Sequence, residues 1–376
     1  MRNCNYKGVF YALLQAGLWE KDVQLLQYGC VDYKKVMQLA EEQSVVGLVT
    51  AGLEHAIDTK VSHDCLLPFI GRTLQIERKN KAMNEFIGKL INLLNEKGIK
   101  AVLVKGQGVA QCYERPLWRA CGDVDLLLDD ENYQKAKSVL SAIASNIETE
   151  GVKSKHLGMT INNWKVELHG TLYSEISNRI DRGLDEIKNA VFKNTKTRLW
   201  MNGNTQVHLQ GIDEDIAYVF THILQHFYKG GIGLRQICDW CRLLWTNSNA
   251  IDIKLLEKRL RKMGIISQWK AFGVFAVEYL GMPIKAMPLI NEGDSKKNNM
   301  KKKAERICAF IMEVGNFGHN RDFTYYQRYP YVVRKALSFA QRCNDLWTHA
   351  RIFPLATLKF TPTIMFNGIV SAIRGE

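Results

Sequence analysis

This sequence lacks three things. No apolar run approaches the roughly 20 residues that a membrane-spanning helix needs, so no span is expected. Only Cys238 and Cys241, among nine cysteines, stand at Cys-x-x-Cys spacing. Without a second pair there is no zinc-ribbon pattern, and the scatter is no disulfide framework; both absences fit a reducing cytoplasm. A secretion signal is also wanting. The stretch to Leu18 has its rough outline, but Gln15 interrupts it, no small-x-small cleavage site follows, and the pattern runs on as an amphipathic helix. The hydrophobic content of 46% and charged content of 24% further exclude wholesale disorder.

With 376 residues, the chain is long enough for two or more domains. Its formal net charge of +13 favours anionic partners: nucleotides, nucleic acid or an acidic membrane surface. Charge alone does not choose between them. Residues 1–95 read as a helical region. Apolar residues recur at helical spacing in Tyr33–Ala40, which Asp32 caps, and in Glu85–Leu94, which Gly98 ends. Residues 96–205 read as an α/β core. Lys100–Val104 and Val124–Leu128 are buried strands, Asp129 and Asp130 cap a helix, and Lys155–Thr160 and Lys165–His169 pair through an Asn162-Asn163 turn. Residues 206–290 are helical again and pack on the core. Residues 291–376 begin with a Lys-rich stretch, read as an exposed linker, and end in a basic aromatic helical tail. The fold class is α+β.

The chemistry centres on Gly122-Asp123-Val124-Asp125-Leu126. Alternate residues of a strand share a face, so Asp123 and Asp125 point one way while Val124 and Leu126 point into the core. Two adjacent carboxylates repel unless a cation neutralises them. Mg²⁺, with Mn²⁺ as the alternative, suits oxygen ligands and shares its shell with nucleoside triphosphate oxygens. Glu167 is the candidate third acid, because Val166 and Leu168 alternate with Glu167 and His169. His169 reads as structural, orienting Glu167. Upstream, Lys105-Gly106-Gln107-Gly108 follows a buried strand and precedes a short helix, where backbone N–H groups approach phosphate. Lys105 and Arg119 add point charges. Gly106-x-Gly108 lacks the third glycine of a dinucleotide-binding turn.

Other constellations have plainer readings. His222 and His226 lie four apart on a helix, but Ile223 stands where a metalloprotease needs Glu. They read as packing or as a substrate-facing polar patch. Arg235 and Asp239, also four apart, read as an ion pair or an acceptor-side contact. The Cys238–Cys241 pair sits in a helical pattern and reads as buried. The segment from Tyr325 to Lys335 interleaves aromatic and basic residues, which suits a packed helix, nucleic acid, saccharide or a membrane surface.

Leu103-Val104-Lys105-Gly106, Arg119, Gly122–Leu127, Val166-Glu167-Leu168-His169 and Gly231–Trp240 together resemble the uncharacterised bacterial nucleotidyltransferase family, NTP-transferase family 5 of the polymerase-β-like superfamily. The similarity extends to about residue 290. It implies a short mixed sheet with helices and a metal-dependent transfer of a nucleotidyl group from an NTP. The implied acceptor is open among a small molecule, a saccharide, a protein or an RNA end. Asp123 and Asp125 match the metal-binding pair and Glu167 the third acid, which is also the implied base. Lys105 and Gly106 stand at the Gly-Ser or Gly-Gly nucleotide-binding turn, and Gln107 replaces the Ser expected after Gly106. That departure supports a second reading, a nucleotide-binding or regulatory module without catalysis. A third reading, a protein that binds or modifies nucleic acid, rests on the charge of +13 and the basic tail.

Overall fold

The computed structural model describes residues 5–150, 155–318 and 329–374. Four helices open the chain: α1 (Tyr6–Trp19), α2 (Tyr33–Glu42), α3 (Val46–Glu54) and α4 (His63–Glu96). Asp32 caps α2 by accepting from the Lys35 N–H, and Gly98, at φ +67°, follows α4 in the left-handed region. The α/β part follows: β1 (Val102–Val104), α5 (Gly106–Ala110), β2 (Asp123–Leu127), α6 (Asp130–Ser141), β3 (Asn146–Ile147), β4 (His156–Ile161), β5 (Trp164–His169), α7 (Asn178–Lys193), β6 (Thr197–Asn202) and β7 (Thr205–Gln210). Helices return as α8 (Ile212–Lys229), α9 (Leu234–Thr246), α10 (Ile253–Met263), α11 (Ile266–Leu280), α12 (Glu292–Lys296), α13 (Asn298–Val314), α14 (Tyr331–Ile352) and α15 (Pro354–Arg374).

The strands form one mixed sheet in the order β3-β4-β5-β2-β1-β7-β6. β2 pairs antiparallel with β1 and parallel with β5, and β1 pairs parallel with β7. The period-2 alternation divides the sheet residues between two cores. Leu103, Val124, Leu126, Val166 and Leu168 pack against α4 and α6, on Phe86, Leu90 and Tyr133. Val102, Val104 and Leu127 face the larger helical body, whose centre is Trp269 in edge contact with Phe220 and Trp240, which are themselves tilted against each other. Asp123, Asp125, Glu167 and His169 share the helical-body side. Beyond Leu127 the hydrophobic lining on that side gives way to charge.

Two expectations need correction. The Lys-rich stretch read as a linker is helical in α12 and α13: Asn291 caps α12, Asp294 holds Lys270 and Lys297, and Ala304, Ile307, Phe310 and Ile311 bury the inner face of α13. Lysine is a good helix former, and the apolar stripe behind the lysines supplies the burial that a loop would lack. The expected core boundary at residue 205 also falls at the start of β7, a strand the alternation did not reveal. Tyr325–Arg328 of the aromatic basic segment lie outside the described residues. No helix among the described residues is long and apolar enough to cross a membrane.

Candidate active site

Register brings the acids together. Along the parallel β2–β5 pair, Asp123 stands opposite Lys165 and Asp125 opposite Glu167, on one face of the sheet. From β1, Val104 pairs with Asp125, so the next residue, Lys105, arrives beside that carboxylate. Lys105 Nζ lies 2.9 Å from Asp125 Oδ1. His169 Nε2 donates to the same oxygen at 2.8 Å. Asp125 is almost wholly buried. Burial raises its carboxyl, but Lys105 and His169 outweigh that, and it stays below its ordinary value.

Asp123 differs. It is half-buried and forms no ion pair among the described residues. The negative charge of Asp125, and then burial, raise its carboxyl above the usual range. Glu167 accepts from His156 Nε2 at 2.9 Å and pairs with Lys165 Nζ at 2.8 Å. Burial pushes it up, while His156, Lys105 and Lys165 hold it well below its ordinary value. His169 lies 3.7 Å from Glu167 and belongs primarily to Asp125. Sequence reasoning linked His169 to Glu167 but did not foresee its shorter hydrogen bond to Asp125, and it missed both His156 and Lys165. The signal for them was there: in the β4–β5 hairpin His156 pairs with His169, and Lys165 lies two residues before Glu167 on the same face.

The Lys105 turn is strained. Lys105 has φ +56° and ψ −142°, and Gly106 follows at φ +40°. A side chain in that region costs on the order of 1–3 kcal/mol. The Asp125 ion pair holds Lys105 there, with Tyr218 beneath its ammonium at 5.9 Å. Helix α5 starts at Gly106 rather than at Val109, so Gly106, Gln107 and Gly108 make up its first turn. The Gln107 side chain is buried away from the acids and donates to Asn80 Oδ1 at 2.9 Å. Gly108 lies against Leu209, whose methyl would stand 2.9 Å from an added Cβ. Its small size serves packing against β7.

Arg119 and Asp239 form a buried two-pronged pair, Nε–Oδ1 2.9 Å and Nη2–Oδ2 2.6 Å, and Tyr113 donates to the same carboxylate at 2.8 Å. Asp239 on α9 is thus satisfied from across the structure. Arg235 donates to the Ala120 carbonyl at 3.0 Å, in the loop leading to β2.

Helix α8 forms the other wall. The cleft between is about 430 Å³ and is lined by Lys105, Asp123, His156, Lys165, Glu167 and His169, then by Thr171, Leu172, Tyr173 and Glu175, and by Tyr218, His222, Gln225 and His226. His222 and His226 approach at 3.0 Å between their Nε2 atoms. Burial, reinforced by Lys105, lowers both, His226 to about 3, so both rings are neutral. With Gln225 accepting from His222 Nδ1–H, His222 Nε2 accepts from His226.

A model of the uncharacterised nucleotidyltransferase family matches residues 29–281. The chain belongs to this family. No curated protein and no solved structure matches it. The matched span of this nucleotidyltransferase family member runs from before α2 to the end of α11, and encloses the acid cluster, the Lys105 turn and the α8 wall. It ends at Gly281, before α12–α15.

His156 gives the site a pH signature. Its hydrogen bond to Glu167 raises it above its ordinary value despite burial. A raised histidine adds stability that is complete below its unfolded value, about 6.5, and disappears as pH rises through the folded value. Urea midpoints measured across this window should fall more in the wild type than in His156→Ala. Parallel curves would show that the bond carries no protonation-linked stability.

Proposed function

We propose that this protein transfers a nucleotidyl group from a nucleoside triphosphate to an acceptor, with a divalent cation, Mg²⁺ or Mn²⁺, held by Asp123, Asp125 and Glu167. The register of β2 against β5 carries this reading, because it sets three carboxylates on one face of the sheet, with Asp123 and Glu167 lining the cleft and Asp125 buried beside them. The donor set offers a hard cation three carboxylates: Asp123 makes no ion pair among the described residues, whereas Asp125 is engaged by Lys105 and His169, and Glu167 converges with His156 and His169 to within 4.8 Å, adding two imidazole nitrogens at the same place. When bound, the cation supplies charge neutralisation to the triphosphate and to the departing pyrophosphate.

The chain's own residues do the rest. Lys105 is a fixed positive charge at the turn and serves the phosphates alongside the backbone N–H groups of Gly106, Gln107 and Gly108. Arg119 acts by holding Asp239 and the approach to β2. Glu167, kept ionised by His156 and Lys165, is a weak proton acceptor and serves as a ligand rather than as the base. The acceptor, whether a small molecule, a saccharide, a protein or an RNA end, lies against Tyr218, His222 and His226. The cleft volume lies within the roughly 300–1,000 Å³ typical of small-molecule sites. The proposed setting is the cytoplasm, where the triphosphate is abundant and thiols stay reduced.

A second reading, nucleotide binding without transfer, is favoured by Gln107. Its side chain is spent on Asn80, so this position offers a phosphate only its backbone N–H. Titration calorimetry with each NTP and Mg²⁺, followed by pyrophosphate release over an acceptor panel, separates the two. Release with any acceptor supports transfer. Binding without release across the panel supports the second reading, and no binding at all refutes both.

A further inference from the structure

Helices α14 and α15 form a hairpin that lies outside the family span. Its inner faces are anchored. Ile352, Phe353, Phe360 and Ile364 are buried; Phe360 stacks edge-on to Tyr228, and His349 packs against Phe227 and Phe310. Arg342 donates to the last carbonyls of α8, at Tyr228 and Lys229. The hairpin is therefore fixed to the body.

Its outer face is the anomaly. On α15, Leu355, Leu358, Pro362 and Phe366 recur at three- and four-residue spacing and form one stripe, opposite the buried Phe360 and Ile364. Leu355 and Leu358 are each 74% exposed and Phe366 67%. On α14, Trp347 is 63% exposed and stacks under Arg351 at 5.5 Å. A helix with both faces apolar is ordinarily buried; this one is covered on one side only. From Pro330 to Arg374 the chain carries six basic residues, Arg334, Lys335, Arg342, Arg351, Lys359 and Arg374, against the single acid Asp345, which is buried. A cavity of about 390 Å³ beside Trp347 is lined by Arg306 and Arg351, with the acid Glu313 also on its wall.

We propose that the α14–α15 hairpin docks on an anionic lipid surface, with the α15 stripe and Trp347 in the acyl–headgroup boundary and Arg306 and Arg351 at headgroup phosphates. Charge decides between occupants. Two copies of the chain meeting through this stripe would bring two strongly basic segments together, whereas an anionic bilayer neutralises them. Nucleic acid would satisfy the charge but leave the leucines in water. An exposed apolar stripe, a tryptophan and flanking basic residues are the combination by which a helix lies in an interface without spanning it.

The test uses the full chain and sedimentation with vesicles of phosphatidylcholine, alone or mixed with phosphatidylglycerol. The protein should pellet with the mixed vesicles and much less with the neutral ones, and added salt should weaken it. The Leu355→Ser/Leu358→Ser/Phe366→Ser variant, altered only at exposed positions, should bind about tenfold more weakly or worse. Circular dichroism and the urea midpoint should confirm that its fold is intact. Absence of pelleting with mixed vesicles overturns the proposal, as does undiminished pelleting of the folded triple variant. So does a dimer in the wild type that the triple variant abolishes, which assigns the stripe to a second copy. Single-stranded RNA that binds wild type and triple variant alike and displaces the vesicles also overturns it.

Discussion

Asp125→Asn should lose both turnover and stability, whereas Asp123→Asn should lose turnover alone. Asp125 is buried and holds Lys105 at 2.9 Å and His169 at 2.8 Å. Removing its charge strands a largely buried ammonium on a strained backbone, and breaking a buried pair in this way costs about 3–5 kcal/mol. Asp123 has the opposite balance. Its carboxyl is raised by the neighbouring Asp125, so its ionised form costs stability once pH exceeds the carboxylate range. Asn relieves that repulsion, and the urea midpoint at neutral pH should stay level or rise. Each variant should lose at least about a hundredfold in kcat/KM, the order expected when one preorganised electrostatic group is removed. Calorimetry with NTP and Mg²⁺ should show weakened binding in both. Full activity in a folded Asp123→Asn protein would refute the cation site. Unchanged stability in Asp125→Asn would refute the account of Lys105.

Arg119→Ala should unfold the protein more readily than any change in the cleft other than at Asp125, by about 3–5 kcal/mol in urea. It leaves Asp239 buried with only the Tyr113 hydroxyl. The loss falls at a joint, because Arg119 precedes β2 while Asp239 belongs to α9, so the pair ties the sheet to the helical body. Arg119→Lys keeps the charge but not the two-pronged geometry, and should lie between. Kinetics separates this from a direct phosphate contact. A structural Arg119 lowers the urea midpoint of Arg119→Lys and leaves the KM for NTP level; a phosphate ligand raises KM in a protein of normal stability. Replacing the pair together, Arg119→Met with Asp239→Leu, should cost less than either single change, since no buried charge is left over.

Local chemistry carried much of this protein into view. The alternation of Val124, Leu126, Val166 and Leu168 with Asp123, Asp125, Glu167 and His169 fixed which side chains share a face. Caps at Asp32 and Asp129, and the left-handed Gly98, bounded three helices. The two asparagines between β4 and β5 adopt the positive φ values that a tight hairpin requires. The helical α12–α13 segment was misread because its lysines were weighed for charge and not for the apolar stripe beneath them.

What the sequence by itself determined, then, is the set of acids and the face they share: a strand's period of two is a local property, written in adjacent residues. Only the tertiary structure decided how each is paired. Whether Lys105 meets Asp125 or a distant group, whether His156 or His169 holds Glu167, and whether Arg119 or Arg235 grips Asp239 depend on strand register and on where α8 and α9 cross the sheet. Those arrangements come from burying Phe220, Trp240 and Trp269 against one another, a cooperative packing among residues far apart in the chain that no short pattern encodes.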